Sequence, residues 1–347
     1  PIGVAGDGAA ARWSDSMKTE PRKVRALGLC SGGLDSILSA LVLQRQGIEV
    51  AWITFETPFF SAAKGRAAAR ATGIPLQVVN ITEPYLRMLR QPAGGYGKHM
   101  NPCMDCHTLM FRLAGEIMRE RGFDFLFSGE VLGQRPMSQT KPSLRYVEKH
   151  SGLGGHILRP LCAKHLPETI PEQQGLVDRE RLLDIHGRGR RDQIALARTF
   201  GISDYPAPAG GCLLTDKGFS ARLKDLFDHG GDGTEAEVQL LKFGRHFRLN
   251  RQAKLIVGRT EKDNDGILQY HRPEQDVVLD VRDYPGPVGV LQGEPDRNTL
   301  LLAAAVCVGY SRAPKLSPVD VAMKRPAGEE VIQAIAVLPE DVRKLMI

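Results

Sequence analysis

The sequence predicts an α/β protein, with a parallel, Rossmann-like sheet domain followed by a smaller α/β or α+β domain. Three observations predict it. Residues 24–30 form a short apolar run of the kind a buried parallel strand produces; Ser31, Gly32 and Gly33 follow, and Leu34, Ile37, Leu38, Leu41 and Val42 then recur at helical spacing. Strand-like and helix-like segments alternate after that turn, the signature of βαβ units. A glycine-rich stretch at 229–233, H-G-G-D-G, then separates this half from a second set of strand-like segments.

The totals set bounds. A chain of 347 residues is expected to hold two domains, each able to bury a core. The formal net charge of +6 is a modest basic excess that permits a nucleic-acid partner without requiring one. No apolar run is long enough to span a bilayer and nothing reads as a secretory signal, so a cytoplasmic protein without a membrane partner is expected. In that compartment six cysteines are read as ligands, nucleophiles or core thiols rather than disulfides.

Residues 1–20, rich in Gly and Ala and without a period, are expected to be a flexible tail. The strand at 24–30 then runs into S-G-G-L-D-S. The first N–H groups of a helix lack intrahelical partners and its dipole favours negative charge there, so this turn is an anion site. Gly32 and Gly33 let the backbone approach a phosphate, while Ser31 and Ser36 add hydroxyls. Asp35 would repel a bare phosphate and is read as the residue that holds Mg²⁺. Strands are predicted at 49–55 and 76–81, and helices at 61–72 and 83–90. A Gly- and Pro-containing loop spans 91–102, and Met110, Leu113, Ala114 and Ile117 mark another helix. A strand at 123–127 ends in S-G-E-V-L-G-Q-R-P-M-S-Q-T, whose small residues and amides, Gly129 and Gln134 among them, are expected to join the same cleft. A strand at 155–162 and a basic helix at 177–200 follow; the helix carries Arg179, Arg181, Arg188, Arg190, Arg191 and Arg198.

N-P-C-M-D-C-H places Cys103 and Cys106 at the start of a helix, one turn apart, where a thiolate is expected to have a lowered pKa. The pair reads as a redox dithiol or half of a metal site. Y-P-A-P-A-G-G-C sets Cys212 on a tight Pro- and Gly-rich loop, unlike a core cysteine. Three cysteine ligands leave one position open, which suits zinc with a fourth ligand or a [4Fe–4S] cluster with one free iron. Cys162 and Cys307 sit in apolar runs and read as core thiols, as does Cys30; His107 is the histidine placed to act as a further ligand.

S-G-G-L-D-S closely resembles the pyrophosphate loop of the PP-loop ATP pyrophosphatases (adenine nucleotide alpha hydrolase-like fold). G-E-V-L-G-Q-R-P-M-S-Q-T resembles a second signature of 4-thiouridine synthetases, and I-L-R-P-L and the G-C before the domain end match in order. The resemblance implies ATP-dependent tRNA thiolation, with ATP on Ser31, Gly32, Gly33, Asp35, Ser36, Gly129 and Gln134. It also implies a [4Fe–4S] cluster on Cys103, Cys106 and Cys212, with Asp35, Cys103 and Cys212 taking part in catalysis. Residues 21–218 would be the catalytic domain and 219–234 a linker. Residues 235–347 are similar to the RNA-binding domain of the NFACT family through V-G-R, D-N-D and P-G-P. Lys242, Arg245, Arg248, Arg251, Lys254, Arg259 and Lys262 would supply its positive charge, in place of the THUMP-type domain that many 4-thiouridine synthetases carry. The implied partners are tRNA, sulfide or a sulfur donor such as a cysteine desulfurase, and a second copy in a homodimer. The same residues permit two alternatives: a cysteine persulfide route without a cluster, and a PP-loop ligase acting on a small metabolite with zinc on the three cysteines.

Overall fold

The computed structural model describes residues 22–205 and 212–347. The predicted N-terminal tail and the Pro- and Gly-rich segment 206–211 lie outside the described residues.

The first domain is built on β1 (Arg25–Leu29), β2 (Glu49–Glu56), β3 (Leu76–Asn80), β4 (Phe125–Ser128) and β5 (Ile157–Leu158). All neighbours are parallel, in the order β3-β2-β1-β4-β5. The connections carry α1 (Leu34–Gln44), α2 (Ala63–Thr72), α3 (Thr82–Arg90), α4 (Cys103–Glu120) and α5 (Lys141–Ser151). The apolar runs of β1 and β4 arise because both sheet faces are covered. Ala26, Phe125 and Phe127 face Leu38 and Leu43 of α1, whereas Leu27, Ile53 and Leu126 face Leu109 and Phe111 of α4. The chain leaves β1 toward β2 on one side and later returns to β4 on the other. The crevice of this switch point opens at the carboxyl ends of β1 and β4.

Two expected elements are shorter. The strand at 155–162 narrows to β5, and the helix at 177–200 reduces to α7 (Arg191–Thr199), which follows the short α6 (Ile170–Gln173) and a single turn at Arg179–Arg181. Leu183 N–H donates to the Pro160 carbonyl at 3.0 Å and Ile185 N–H to Leu161 at 2.8 Å, so this stretch is held extended against the chain after β5. Gly187, at φ +82, closes it before α7 can start.

The span 219–234 is mostly helical: α8 (Lys217–Asp228) buries Phe219 and Leu223 in the first core, leaving a short connection to α9 (Glu235–Leu240). The second domain pairs β6 (Arg245–Arg248), β7 (Ala253–Val257), β8 (Val277–Val281), β9 (Gly289–Gly293), β10 (Val319–Arg325) and β11 (Gly328–Ala334). Its sheet is antiparallel throughout, in the order β11-β10-β8-β9-β7-β6. α10 (Glu261–Tyr270) takes up the D-N-D-G-I-L stretch, which read as part of a strand region, after a Thr260 N-cap. α11 (Arg297–Tyr310) buries Ala303, Ala304, Val306, Cys307 and Val308 against the sheet, making an α+β domain. Among the described residues no helix is long and apolar enough to cross a membrane.

Candidate phosphate cradle and sulfur site

The cradle is made of backbone. Gly33 is the N-cap of α1 and no side chain caps that helix, so its first N–H groups face the crevice opening. The Ser36 hydroxyl donates to the Gly33 carbonyl at 2.8 Å, and Gly33 N–H points to the Ser31 hydroxyl at 3.4 Å. Gly32 has φ +73, and a Cβ there would lie 2.2 Å from the Lys64 carbonyl carbon, so the loop folds directly onto the start of α2. Gly129, just past β4, rests on the loop from the other side; its Cβ would lie 2.5 Å from the Asp35 carbonyl carbon and the Ser36 nitrogen. Asp35 Oδ2 accepts from Gln134 Nε2 at 3.0 Å, while its buried Oδ1 has no partner. Burial pushes the Asp35 carboxyl above its ordinary value, against the pull of Gln134, Arg190 and Arg135. An orphaned carboxylate oxygen beside uncapped amides is a fit for a divalent cation carrying a phosphate. Ser31, Gly32, Gly33, Asp35, Ser36, Gly129 and Gln134 are thus brought together. Arg135 was not singled out from the sequence and Arg190 was read only as part of a basic helix; Q-R-P and R-G-R-R were the available signals.

The sulfur site is made of side chains. Cys103 opens α4, Cys106 stands one turn on, and Cys212 precedes a single turn at Leu213–Thr215. All three are partly buried. Cys106 and Cys212 pack on one apolar cluster with Tyr85, Leu214 and Phe219. Charge on Cys103 and Cys212 bears on Cys106, and charge on all three bears on Tyr85, so the topology gathers what the sequence scatters. The lowered thiol pKa expected at the helix start is not found at Cys106. Burial pushes that thiol up to about 12; the Tyr85 hydroxyl works against this and the neighbouring Cys212 and Cys103 add to it. Desolvation outweighs the helix end because the thiol lies on the packed face. Burial likewise raises Cys212. Among the described residues no group of three or more His, Cys, Asp or Glu side chains is gathered to hold one metal ion. One zinc ion with bonds of about 2.3 Å would need such a tight set; a multi-iron cluster spans more space, and three thiols without a fourth ligand suit it.

A buried charge network, missed in the sequence, connects the two. Glu130 follows Gly129; its Oε1 lies 2.9 Å from His107 Nδ1, and its Oε2 accepts from Arg159 Nε at 3.0 Å and from Ser128 Oγ at 3.1 Å. Arg159, 2 % exposed, also pairs with Glu148. Burial would raise the Glu130 carboxyl, but Arg159 and His107 hold it down to about 2. His107, expected as a possible ligand, has Nδ1 committed to this carboxylate. The sequence signal was slight: one acid after a buried strand. Cys30, Cys162 and Cys307 are core thiols as expected, pushed up by burial to about 11, 11 and 12.

The expected basic face of the second domain is partly spent internally. Arg248 donates to Asp225 of α8 through Nε at 3.0 Å and Nη2 at 2.6 Å, and Lys254, 4 % exposed, lies 3.4 Å from the same carboxylate. Arg259 pairs with Asp263 at 2.7 Å, Lys242 donates to Gln139's counterpart on its own helix, Gln239, at 2.6 Å, and Arg245 lies over the Tyr310 ring. Arg251 and Lys262 remain exposed.

Comparison with known proteins agrees with this division. The family described as "Thiamine biosynthesis protein (ThiI)" matches residues 22–170, and "NFACT protein RNA binding domain" matches residues 244–346. A tRNA-specific 2-thiouridylase MnmA of Methylobacterium radiotolerans is 30 % identical over 346 residues, 93 % of this chain and 80 % of the relative. The chain belongs to the PP-loop tRNA thiolation family. Other members of that family match over the PP-loop half. The MnmA of Geobacter metallireducens is 32 % identical over 133 residues, 32 % of this chain and 36 % of the relative. A probable tRNA sulfurtransferase of Caldanaerobacter subterraneus is 28 % identical over 156 residues, 42 % of this chain and 39 % of the relative. The chain thus spans well under half the length of these two relatives.

Proposed function

We propose that this protein is an ATP-dependent tRNA sulfurtransferase whose phosphate cradle and cysteine trio work on one uridine. The observation that carries the reading is their physical link: Gly129 packs on Asp35 and Ser36, and the adjacent Glu130 holds His107, the residue after Cys106. Relatives named tRNA sulfurtransferase and 2-thiouridylase support it.

The α1 amides and the hydroxyls of Ser31 and Ser36 would hold the ATP phosphates. Asp35, positioned by Gln134, would hold Mg²⁺ through its free oxygen, and that ion would neutralise the departing pyrophosphate. Arg190 and Arg135 add positive potential at the same place. A uridine carbonyl oxygen attacks the α-phosphorus, pyrophosphate leaves, and the carbon becomes an electrophile with AMP as its leaving group. A sulfur nucleophile then displaces AMP. Cys103, Cys106 and Cys212 would hold a [4Fe–4S] cluster, whose chemistry is to bind sulfide as a Lewis acid at its open iron. The substrate base must leave its stack, at about a few kcal/mol; the 244–346 domain would contribute RNA contacts, with Arg251 and Lys262 as free cations.

Iron, labile sulfide and zinc are to be measured on protein purified without oxygen, together with ATP-dependent thiolation of tRNA. About four irons per chain are expected, with AMP and pyrophosphate released in step with thionucleoside. Absence of metal with retained thiolation would favour a cysteine persulfide. Stoichiometric zinc without tRNA binding would overturn the reading in favour of a small-molecule ligase.

A further inference from the structure

The surroundings of the three sulfurs show a pattern that the cysteines alone do not. Each faces a different neutral hydrogen-bond donor. Asn101 Nδ2 lies 3.3 Å from Cys103 Sγ. The Tyr85 hydroxyl is the side-chain donor toward Cys106. Cys212 is met by the backbone N–H groups of Leu214 and Thr215.

The two side-chain donors are held firmly. Asn101 is 9 % exposed, its carbonyl accepts Gly97 N–H at 2.9 Å, and its Oδ1 accepts His99 N–H at 3.2 Å. That last bond fixes which end of the amide faces the sulfur. Gly97 closes over it so tightly that a Cβ would lie 2.5 Å from Nδ2. Tyr85 is 1 % exposed and wedged between Phe59 and Phe60, with ring centroids at 5.4 and 5.5 Å. An apolar packing role would be served by Phe and Leu; fixed donors aimed at sulfur serve an anion. Neutral donors stabilise thiolate charge without competing for the sulfurs as a lysine would, and hydrogen bonds to cluster sulfurs are a known control of reduction potential.

We propose that Tyr85 and Asn101 are positioning residues of the sulfur site, donating hydrogen bonds to the Cys106 and Cys103 sulfurs and stabilising negative charge there. The inference rests on the reading of the three cysteines as one sulfur-handling site.

The test uses the full chain, reconstituted anaerobically with ferrous iron and sulfide, as wild type, Tyr85→Phe and Asn101→Asp. Both substitutions keep shape, and thermal melting checks that the fold survives. Tyr85→Phe is expected to keep its iron content and to lower the reduction potential of the bound cluster. Asn101→Asp, which sets a carboxylate against a sulfur, is expected to lose iron to a chelator several-fold faster than wild type. An unchanged potential in Tyr85→Phe together with an unchanged iron-loss rate in Asn101→Asp would overturn the proposal. If the wild type takes up no iron, the cluster reading has failed, and the donors are then tested on the free thiols. Mass-spectrometric alkylation at pH 8 should be several-fold slower at Cys106 in Tyr85→Phe, and an equal rate would overturn the proposal in that case too.

Discussion

The phosphate cradle and the sulfur site sit at one end of the same sheet and are built in opposite ways. The cradle is backbone: uncapped amides at the start of α1, with Gly32 pressed on Lys64 and Gly129 pressed on Asp35. Its central residues are consecutive, so strand, turn and helix assemble it locally. The sulfur site is side chain: Tyr85, Asn101, Cys103, Cys106 and Cys212 come from α3, a loop, α4 and the chain before α8. Nothing local holds it together; the apolar cluster does. Geometry in the first case depends on the absence of a Cβ, in the second on the burial of neighbours.

Separate substitutions should therefore disable the two sites independently. Cys212→Ser has the largest expected effect on the overall reaction: thionucleoside formation is abolished and iron retention falls, while ATP binding by calorimetry stays at the wild-type level. Loss of ATP binding as well would merge the two sites. Gly129→Ala is the converse. The added Cβ displaces Asp35, and a shift of about 1 Å costs on the order of 10²-fold in rate. ATP affinity should drop with it, with iron content unchanged.

Glu130→Gln probes the bridge between the sites. Removing one partner of a buried ion pair costs roughly 3 kcal/mol, to be read from denaturant unfolding at pH 7. The pH dependence gives a sharper check. Glu130 titrates near 2 in the folded chain, below the ordinary glutamate value of about 4.3. Its contribution to stability is complete above about pH 4.3 and is lost as pH falls from there toward 2. The glutamine variant should lack this component of the acid slope.

Lys254→Met should have the smallest effect. Burial depresses the lysine to about 8, against the pull of Asp225. The folded state therefore resists protonating it, and wild-type stability should rise between about pH 8 and the ordinary lysine value of about 10.4. Methionine removes that rise and should leave stability at pH 7 within about 1 kcal/mol of wild type, because Arg248 still pairs with Asp225. A large loss of stability would make Lys254 a true fastener between α8 and the second sheet.

What was legible follows the same division. S-G-G-L-D-S announced a strand, a turn and a helix because each needs only near neighbours, and the alternating pattern of 24–90 gave the parallel sheet for the same reason. The segment 177–200 misled because its polar and apolar spacing suits a helix, yet the hydrogen bonds of Leu183 and Ile185 go to the chain after β5. Cys106 misled because a helix start predicts a stabilised thiolate, and the packed face it occupies reverses the sign. Arg248 and Lys254 looked like free cations because Asp225, on α8 of the other half, is remote in sequence.

By itself the sequence determined the fold class, the phosphate loop and the identity of the three cysteines, since these rest on periodicity, glycine conformation and residue chemistry. The tertiary structure alone decided that Gly129 and Gln134 close on Asp35, that Tyr85 and Asn101 face the sulfurs, and that Glu130 and Arg159 neutralise each other inside the core. Those are contacts between distant segments, and burial sets the worth of each charge and hydrogen bond only after the chain has packed.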